Sequence, residues 1–165
     1  MDYTALEHHH INGENPVLEA KILECFRRFC YKSPPLPFLK GKTLKETDSA
    51  ILAYFEENFR GNLCFHDKNV KGFAVFGEGQ KWLDEPIPEF EGQKIAVLIM
   101  GASQNDNLGE ARLALTILEE SFRRLKEIFR YDVVAWNQNR EHKQKGFERI
   151  MKLLGAKKIK TCYFV

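Results

Sequence analysis

The sequence lacks most of what would place it in several large classes. Twenty-five Lys and Arg against 23 Asp and Glu leave a formal net charge of +2, so no single-sign excess marks it for DNA or RNA. No apolar run approaches the roughly 20 residues of a membrane-spanning helix. The start, Met1-Asp2-Tyr3-Thr4-Ala5-Leu6-Glu7, has neither the basic opening nor the apolar stretch of a secretory leader, and a cytoplasmic protein is expected. The four cysteines, Cys25, Cys30, Cys64 and Cys162, form no C-x-x-C pair, and none stands at zinc-ligand spacing from a histidine. They read as small buried hydrophobes without a metal or redox role. Internal repeats, low-complexity tracts and an interdomain linker are also missing. What remains is 165 residues, 44% of them hydrophobic, enough for one domain over residues 1–165.

The local patterns give an order of elements. A short alternation over residues 3–11 reads as a first strand. Within it, His8 and His10 share a face that could ligate a transition metal; only Glu7 stands by as a partner, and a solvated tract is the plainer reading. Asn15-Pro16 has the form of an N-cap followed by proline at the first helical position. Leu18, Ile22, Phe26 and Phe29 recur behind it at helical spacing, and Ser33-Pro34-Pro35-Leu36-Pro37 must stop that helix. Thr43-Leu44-Lys45-Glu46 is a capping box ahead of the apolar face Ile51, Leu52, Phe55 and Phe59, and Gly61 stands where the C-cap belongs.

The period then changes. Residues 62–66 and 70–76 predict a hairpin around Asp67-Lys68-Asn69. A proline-bearing link from Gly77 to Gln93 leads to Ile95-Ala96-Val97-Leu98-Ile99-Met100, apolar at every position and suited to a central strand covered on both faces. Leu108, Ala111, Leu115, Leu118, Phe122, Leu125 and Phe129 draw one continuous helical stripe. A strand at 131–136, a helix at 142–154 ended by Gly155, and a strand at 159–165 complete the chain. Strands alternating with helices in the second half imply a partly parallel sheet; the hairpin adds an antiparallel part. The expected fold class is α/β (α+β), a mixed sheet of six or seven strands flanked by helices.

The segment from Met100 to Ala111 leaves a buried strand and enters the long helix, so several backbone amides meet one crevice without internal partners. Free amides and the helix dipole together favour an anion such as a phosphate. Within it, Gln104-x-x-Asn107-x-Gly109 matches the first and last positions of the pattern [QR]-x-x-G-x-[GA]. Asn107 replaces the middle glycine, and asparagine is a residue that tolerates a left-handed backbone. This loop and the order of elements resemble the GNAT superfamily of acyl-CoA-dependent N-acetyltransferases, and the turn Met151-Lys152-Leu153-Leu154-Gly155-Ala156 into the last strand is similar to that family's as well. The resemblance covers residues 60–165 by motif and the first 60 by order of elements.

The resemblance implies a single GNAT-like domain that binds acetyl-CoA, or another acyl-CoA, as co-substrate, with no metal. It implies cofactor contacts at Ile99, Met100, Gly101, Gln104, Asn105, Asn107, Leu108, Gly109, Asn137 and Asn139. Amides of Met100 to Ala102 would polarise the thioester carbonyl. Acyl transfer by direct attack needs a deprotonated amine, so a base is required. Glu78 is the first choice, with Asp84 and Glu85 in the following link beside it. Tyr163, and after it Tyr131, could protonate the departing thiolate; the 142–154 helix carries no tyrosine, where the family often has one. The acceptor would be an amine, a small molecule or a peptide, bounded by the first two helices, residues 34–38 and the link, with Phe38, Trp82 and Phe90 in reach. No membrane partner is expected, nucleic acid is disfavoured, and a homodimer is left open. The alternative is a non-catalytic GNAT-like module that binds CoA, a protein partner or, through Lys and Arg residues 143–160, nucleic acid.

Overall fold

The structure is a computed structural model that describes residues 7–32, 39–58, 62–66, 72–103, 108–137, 149 and 151–165. Its elements run β1 (Glu7–Ile11), α1 (Pro16–Lys32), α2 (Leu44–Asn58), β2 (Asn62–His66), β3 (Gly72–Glu78), β4 (Ile95–Ser103), α3 (Leu108–Glu127), β5 (Val133–Asn137), β6 (Lys157–Ile159) and β7 (Cys162–Phe164). Single 3-10 turns at Gln80–Trp82 and Pro88–Phe90 shape the link between β3 and β4. Seven strands form one sheet in the order β1-β2-β3-β4-β5-β7-β6. β4 and β5 are parallel, and every other pairing is antiparallel.

The helix starts follow the local chemistry. Asn15 Oδ1 accepts from the Leu18 amide at 3.2 Å, with Pro16 opening α1. Thr43 and Glu46 form the reciprocal box: Glu46 Oε2 accepts from the Thr43 amide at 2.8 Å, and Thr43 Oγ1 from the Glu46 amide at 3.3 Å. The Thr43 amide, and then the Thr43 hydroxyl at 2.9 Å, donate to the Glu46 carboxylate and hold it below its usual value.

Strand alternation sorts the core onto two faces. On one, Ile22 of α1, Ile51 of α2 and Leu39 between them meet Ile11, Phe73 and Val75. The link continues that cover, laying Leu83, Ile87 and Phe90 on Val97, Val133, Ala135 and Cys162. On the other face, α3 packs Ile117, Phe122 and Leu125 against Ala74, Phe76, Ala96, Val134 and Trp136. Aromatic rings cross this second face in series. His8 meets Phe129 at 5.2 Å, Phe65 meets Phe76 at 5.9 Å, and Phe76 meets Phe122 at 6.0 Å. Phe122 stacks on Trp136 at 5.2 Å, and Trp136 on Tyr163 at 6.1 Å. The doubly covered β4 expected from its apolar run is what forms.

Four expectations need correction. The end of the chain is a hairpin, β6 and β7, rather than one strand over 159–165. Lys160 takes a left-handed turn at φ 53, a conformation that no glycine signals here. β4 runs on to Ser103, so Gly101 to Ser103 are strand and not loop. The strand expected at 131–136 is β5, Val133–Asn137, because Asp132 instead binds the Lys94 amide at 2.7 Å through its carboxylate. Phe90 is core, 5.1 Å from Phe164, and does not face an acceptor. Of the expected 142–154 helix, Arg149 and residues 151–153 are helical and Leu154 is already in the turn; residues 142–148 and 150 lie outside the described residues, as do the hairpin turn at 67–69, Pro34 to Phe38 and Gly61.

Two outcomes follow. A Cβ added at Gly77 would collide with Trp82 Nε1, so Gly77→Ala should displace the indole and cost about 1–3 kcal/mol in denaturant unfolding. On α3, hydrogen bonds from Arg123, and then from Arg124, hold Glu120 at about 2. The unfolded chain takes up that proton near 4.5, so this stabilisation is present above about pH 5 and lost as pH falls toward 2. Glu120→Gln should lower the Tm at pH 7 by the equivalent of about 1 kcal/mol or less, since Arg123 is half exposed. The gap to wild type should close below pH 3.

Candidate functional site

The sheet opens at one place. β4 pairs with β5 from Ile95↔Val133 to Leu98↔Trp136, and there the parallel ladder stops. β4 continues, still paired with β3 as far as Ser103↔Gly72. β5 ends one residue later at Asn137, paired on its far side with Cys162. From Ile99 onward, therefore, β4 has no strand on its β5 side among the described residues.

A bulge lies at that point. Val75 pairs with Met100 and Phe76 with Leu98, so Ile99 is the extra residue of β4. A bulge leaves its extra residue out of the ladder and bends the strand. Ile99 itself packs against the α1 and α2 core. The next described element after Ser103 is α3, which runs 20 residues from Leu108. Its first turn carries amides without intrahelical partners and the positive end of the helix dipole.

The expected cofactor residues divide accordingly. Ile99, Met100 and Gly101 are on the length of β4 with no described strand on its β5 side, Met100 paired across β3 with Val75 and Gly101 with Ala74. Leu108 and Gly109 form the start of α3. Gln104, Asn105, Asn107 and Asn139 lie outside the described residues. Asn137 stands at the mouth of the opening, but its amide is engaged: Oδ1 accepts from the Asp84 amide at 2.8 Å, and Nδ2 donates to the Trp82 carbonyl at 2.9 Å. Its observed role is to moor the link to β5.

Of the two catalytic candidates, Glu78 is not brought to the opening, and Tyr163, level with Trp136 at the end of the ladder, is buried. Glu78 ends β3 opposite Ala96, toward the start of β4. It lies close enough to Tyr131 to help raise that phenol, after the effect of burial. Tyr163 is 8% exposed on the α3 face, stacked on Trp136, with Lys158 Nζ 5.6 Å from its ring centre. Asp84 and Glu85 come closer. The Asp84 amide is bound at the end of β5, and Glu85 accepts from the Thr161 hydroxyl at 3.3 Å, tying the link to the β6–β7 turn. Sequence reasoning had no signal for this mooring, whose partners stand 53 to 76 positions apart. Burial pushes the Cys162 thiol up to about 11, which leaves it protonated and unreactive near neutrality. Among the residues whose side chains are described, no three of His, Cys, Asp and Glu converge to hold a metal ion. No helix among the described residues is long and apolar enough to cross a membrane.

No family model and no curated protein matches the sequence. Solved structures do match. An acetyltransferase of the GNAT family from Bacillus anthracis superimposes with a TM-score of 0.54 at 10% identity, covering 88% of this chain and 89% of that one. A putative acetyltransferase from Acinetobacter baylyi gives 0.55 at 14% identity, with 98% and 94% covered. The ribosomal-protein-S5-alanine acetyltransferase of Vibrio fischeri gives 0.52 at 11% identity, with 96% and 82% covered. At such identities the likeness speaks for architecture: this chain has the GNAT acetyltransferase fold, in a divergent sequence.

Proposed function

We propose that the protein is an acyl-CoA-dependent N-acyltransferase that binds its co-substrate along the open side of β4. The observation that carries this reading is the length of β4 from the Ile99 bulge to Ser103, which among the described residues has no strand on its β5 side, with α3 starting at Leu108. Those residues fit the group. Strand amides beyond the bulge suit the pantetheine amides and the thioester oxygen, and the first turn of α3 suits the diphosphate. Residues 104–107 would complete the phosphate cradle.

In the reaction, the acceptor nitrogen loses a proton and attacks the thioester carbon. Charge gathers on the carbonyl oxygen, where the Ile99 and Met100 amides would stabilise it, and the C–S bond then breaks to leave an amide and CoA thiolate. The thiolate takes back a proton, so no net charge is created. Asp84 is the carboxylate we assign to proton removal, directly or through water, because its backbone is anchored at the mouth of the opening while Glu78 is at the far end of β3. The acceptor class remains an amine.

A second reading has its own support: the Asn137 amide is engaged in structure and Tyr163 is buried, which favours a module that binds CoA without turnover.

Titration with acetyl-CoA, with ADP as control, tests the binding that both readings share. Saturation at a hundredfold excess over Kd should add about 2.7 kcal/mol of stability and raise the Tm by several degrees. Gly109→Trp should abolish the shift, and absence of binding at millimolar acetyl-CoA overturns both readings. Turnover across an amine panel separates them. Asp84→Asn should lower kcat about 10²-fold with the KM for acetyl-CoA unchanged, and Glu78→Gln should leave kcat as it was. Saturable binding without turnover on any amine would establish the module instead.

A further inference from the structure

One side chain grips the link at the point where the sheet opens. Asn137 is the residue of β5 just past the last rung of the parallel ladder, Leu98↔Trp136. Its own backbone is held, paired with Cys162 of β7. Its carboxamide spans two link residues: Nδ2 donates to the Trp82 carbonyl at 2.9 Å, and Oδ1 accepts from the Asp84 amide at 2.8 Å. Between them, the Leu83 amide donates to the Gln80 carbonyl at 2.9 Å, and Gln80 Oε1 accepts from the Ile87 amide at 2.7 Å. The link is thus closed on itself by Gln80 and hung on β5 by Asn137.

This grip fixes more than backbone. Leu83 is extended, at φ −82 and ψ 147, and its side chain is buried in the core under the link. Alternation along an extended chain sends the next side chain away from that core, and Asp84 is exposed. An aspartate has two side-chain torsions, the first confined to staggered wells, so a fixed peptide leaves its carboxylate a small volume to explore. That volume lies beside β5 and β7: after burial, the Asp84 charge helps to raise the Cys162 thiol. Glu85, the next residue, accepts from the Thr161 hydroxyl at 3.3 Å and is held to the β6–β7 turn. An amide is needed at position 137 for both bonds, since a carboxylate cannot donate and a hydroxyl presents one atom rather than two.

We infer that Asn137 is a positioning residue for acyl transfer, setting the Asp84 carboxylate at the mouth of the opening through the Trp82 carbonyl and the Asp84 amide. This rests on the reading of Asp84 as the group that removes the acceptor's proton. It reassigns Asn137: the residue expected to touch the cofactor acts instead on the acceptor side. The proton passes from the acceptor nitrogen to the Asp84 carboxylate, directly or through water, as the N–C bond forms, and Asn137 exchanges nothing with either. Its effect is geometric, and a displacement of about 1 Å at a reacting group can cost about 10²-fold in rate.

The test is a double-mutant cycle in kcat on the full chain, with acetyl-CoA, the fastest amine of the panel, and CoA release followed by a thiol reagent. Asn137→Ala should lower kcat by about tenfold or more, bounded by the roughly 10²-fold of Asp84→Asn. Its Kd for acetyl-CoA, read by calorimetry, should stay at the wild-type value. In the Asp84→Asn background the same substitution should cost nothing further, because the group it acts through is gone. Should Asn137→Ala fail to fold, Asn137→Asp, which can accept but not donate, carries the same cycle. Two effects that multiply overturn the inference, and so does an unchanged kcat. A weakened Kd with kcat kept also overturns it and returns Asn137 to the cofactor. Full activity in Asp84→Asn overturns instead the parent assignment of the base, and a wild type without turnover overturns the transferase reading; the inference falls with either, and neither resembles effects that multiply.

Discussion

The parallel pairing of β4 with β5 runs from Ile95↔Val133 to Leu98↔Trp136, and both layers of the molecule are built around that short ladder. On the α3 face its side chains Ala96, Leu98, Val134 and Trp136 receive the long helix; on the other, Val97, Val133 and Ala135 receive the link. Because parallel strands hand the chain to helices rather than to a tight turn, the two are free to part once their ladder ends. β3 stays paired with β4 past that point, and the bulge at Ile99 absorbs the change of register. The opening is thus a product of unequal support: β4 is held to its end on one side and released on the other.

The link is the second condition. A stretch of charged residues and prolines would not be expected to cover a sheet, yet Leu83, Ile87 and Phe90 do so. Burying each such side chain is worth about 1.5–3 kcal/mol. The Asn137 amide satisfies one carbonyl and one amide of the link, groups that would otherwise be desolvated at the edge of that core. Gln80 does the same for the Ile87 amide at 2.7 Å. The polar residues of the link therefore aim it, and its three apolar residues hold it down.

What could be read in the sequence was local chemistry. The Asn15-Pro16 start and the Thr43–Glu46 box are encoded within four residues, and the structure makes the bonds they imply. The doubly apolar β4 and the α3 stripe carry their own period. What was not readable depends on pairs distant in the chain: the Asn137 mooring, the burial of Phe90 against Phe164, and the placement of Glu78 away from the opening. The last hairpin was missed because its turn uses Lys160 at positive φ, where glycine or asparagine would have given the signal.

The two tryptophans sit on opposite faces of the sheet. Trp136 is locked in the aromatic series under α3, with its indole N–H on the Met151 sulfur at 2.9 Å. Trp82 lies in the link, resting on Gly77 with Lys81 Nζ 5.6 Å from its ring. The molecule therefore carries two built-in optical reporters of separate layers. Emission from Trp136 follows the helix-covered core, while emission from Trp82 follows the seating of the link beside the opening, so loosening of the link and loss of the whole fold are spectrally distinct events.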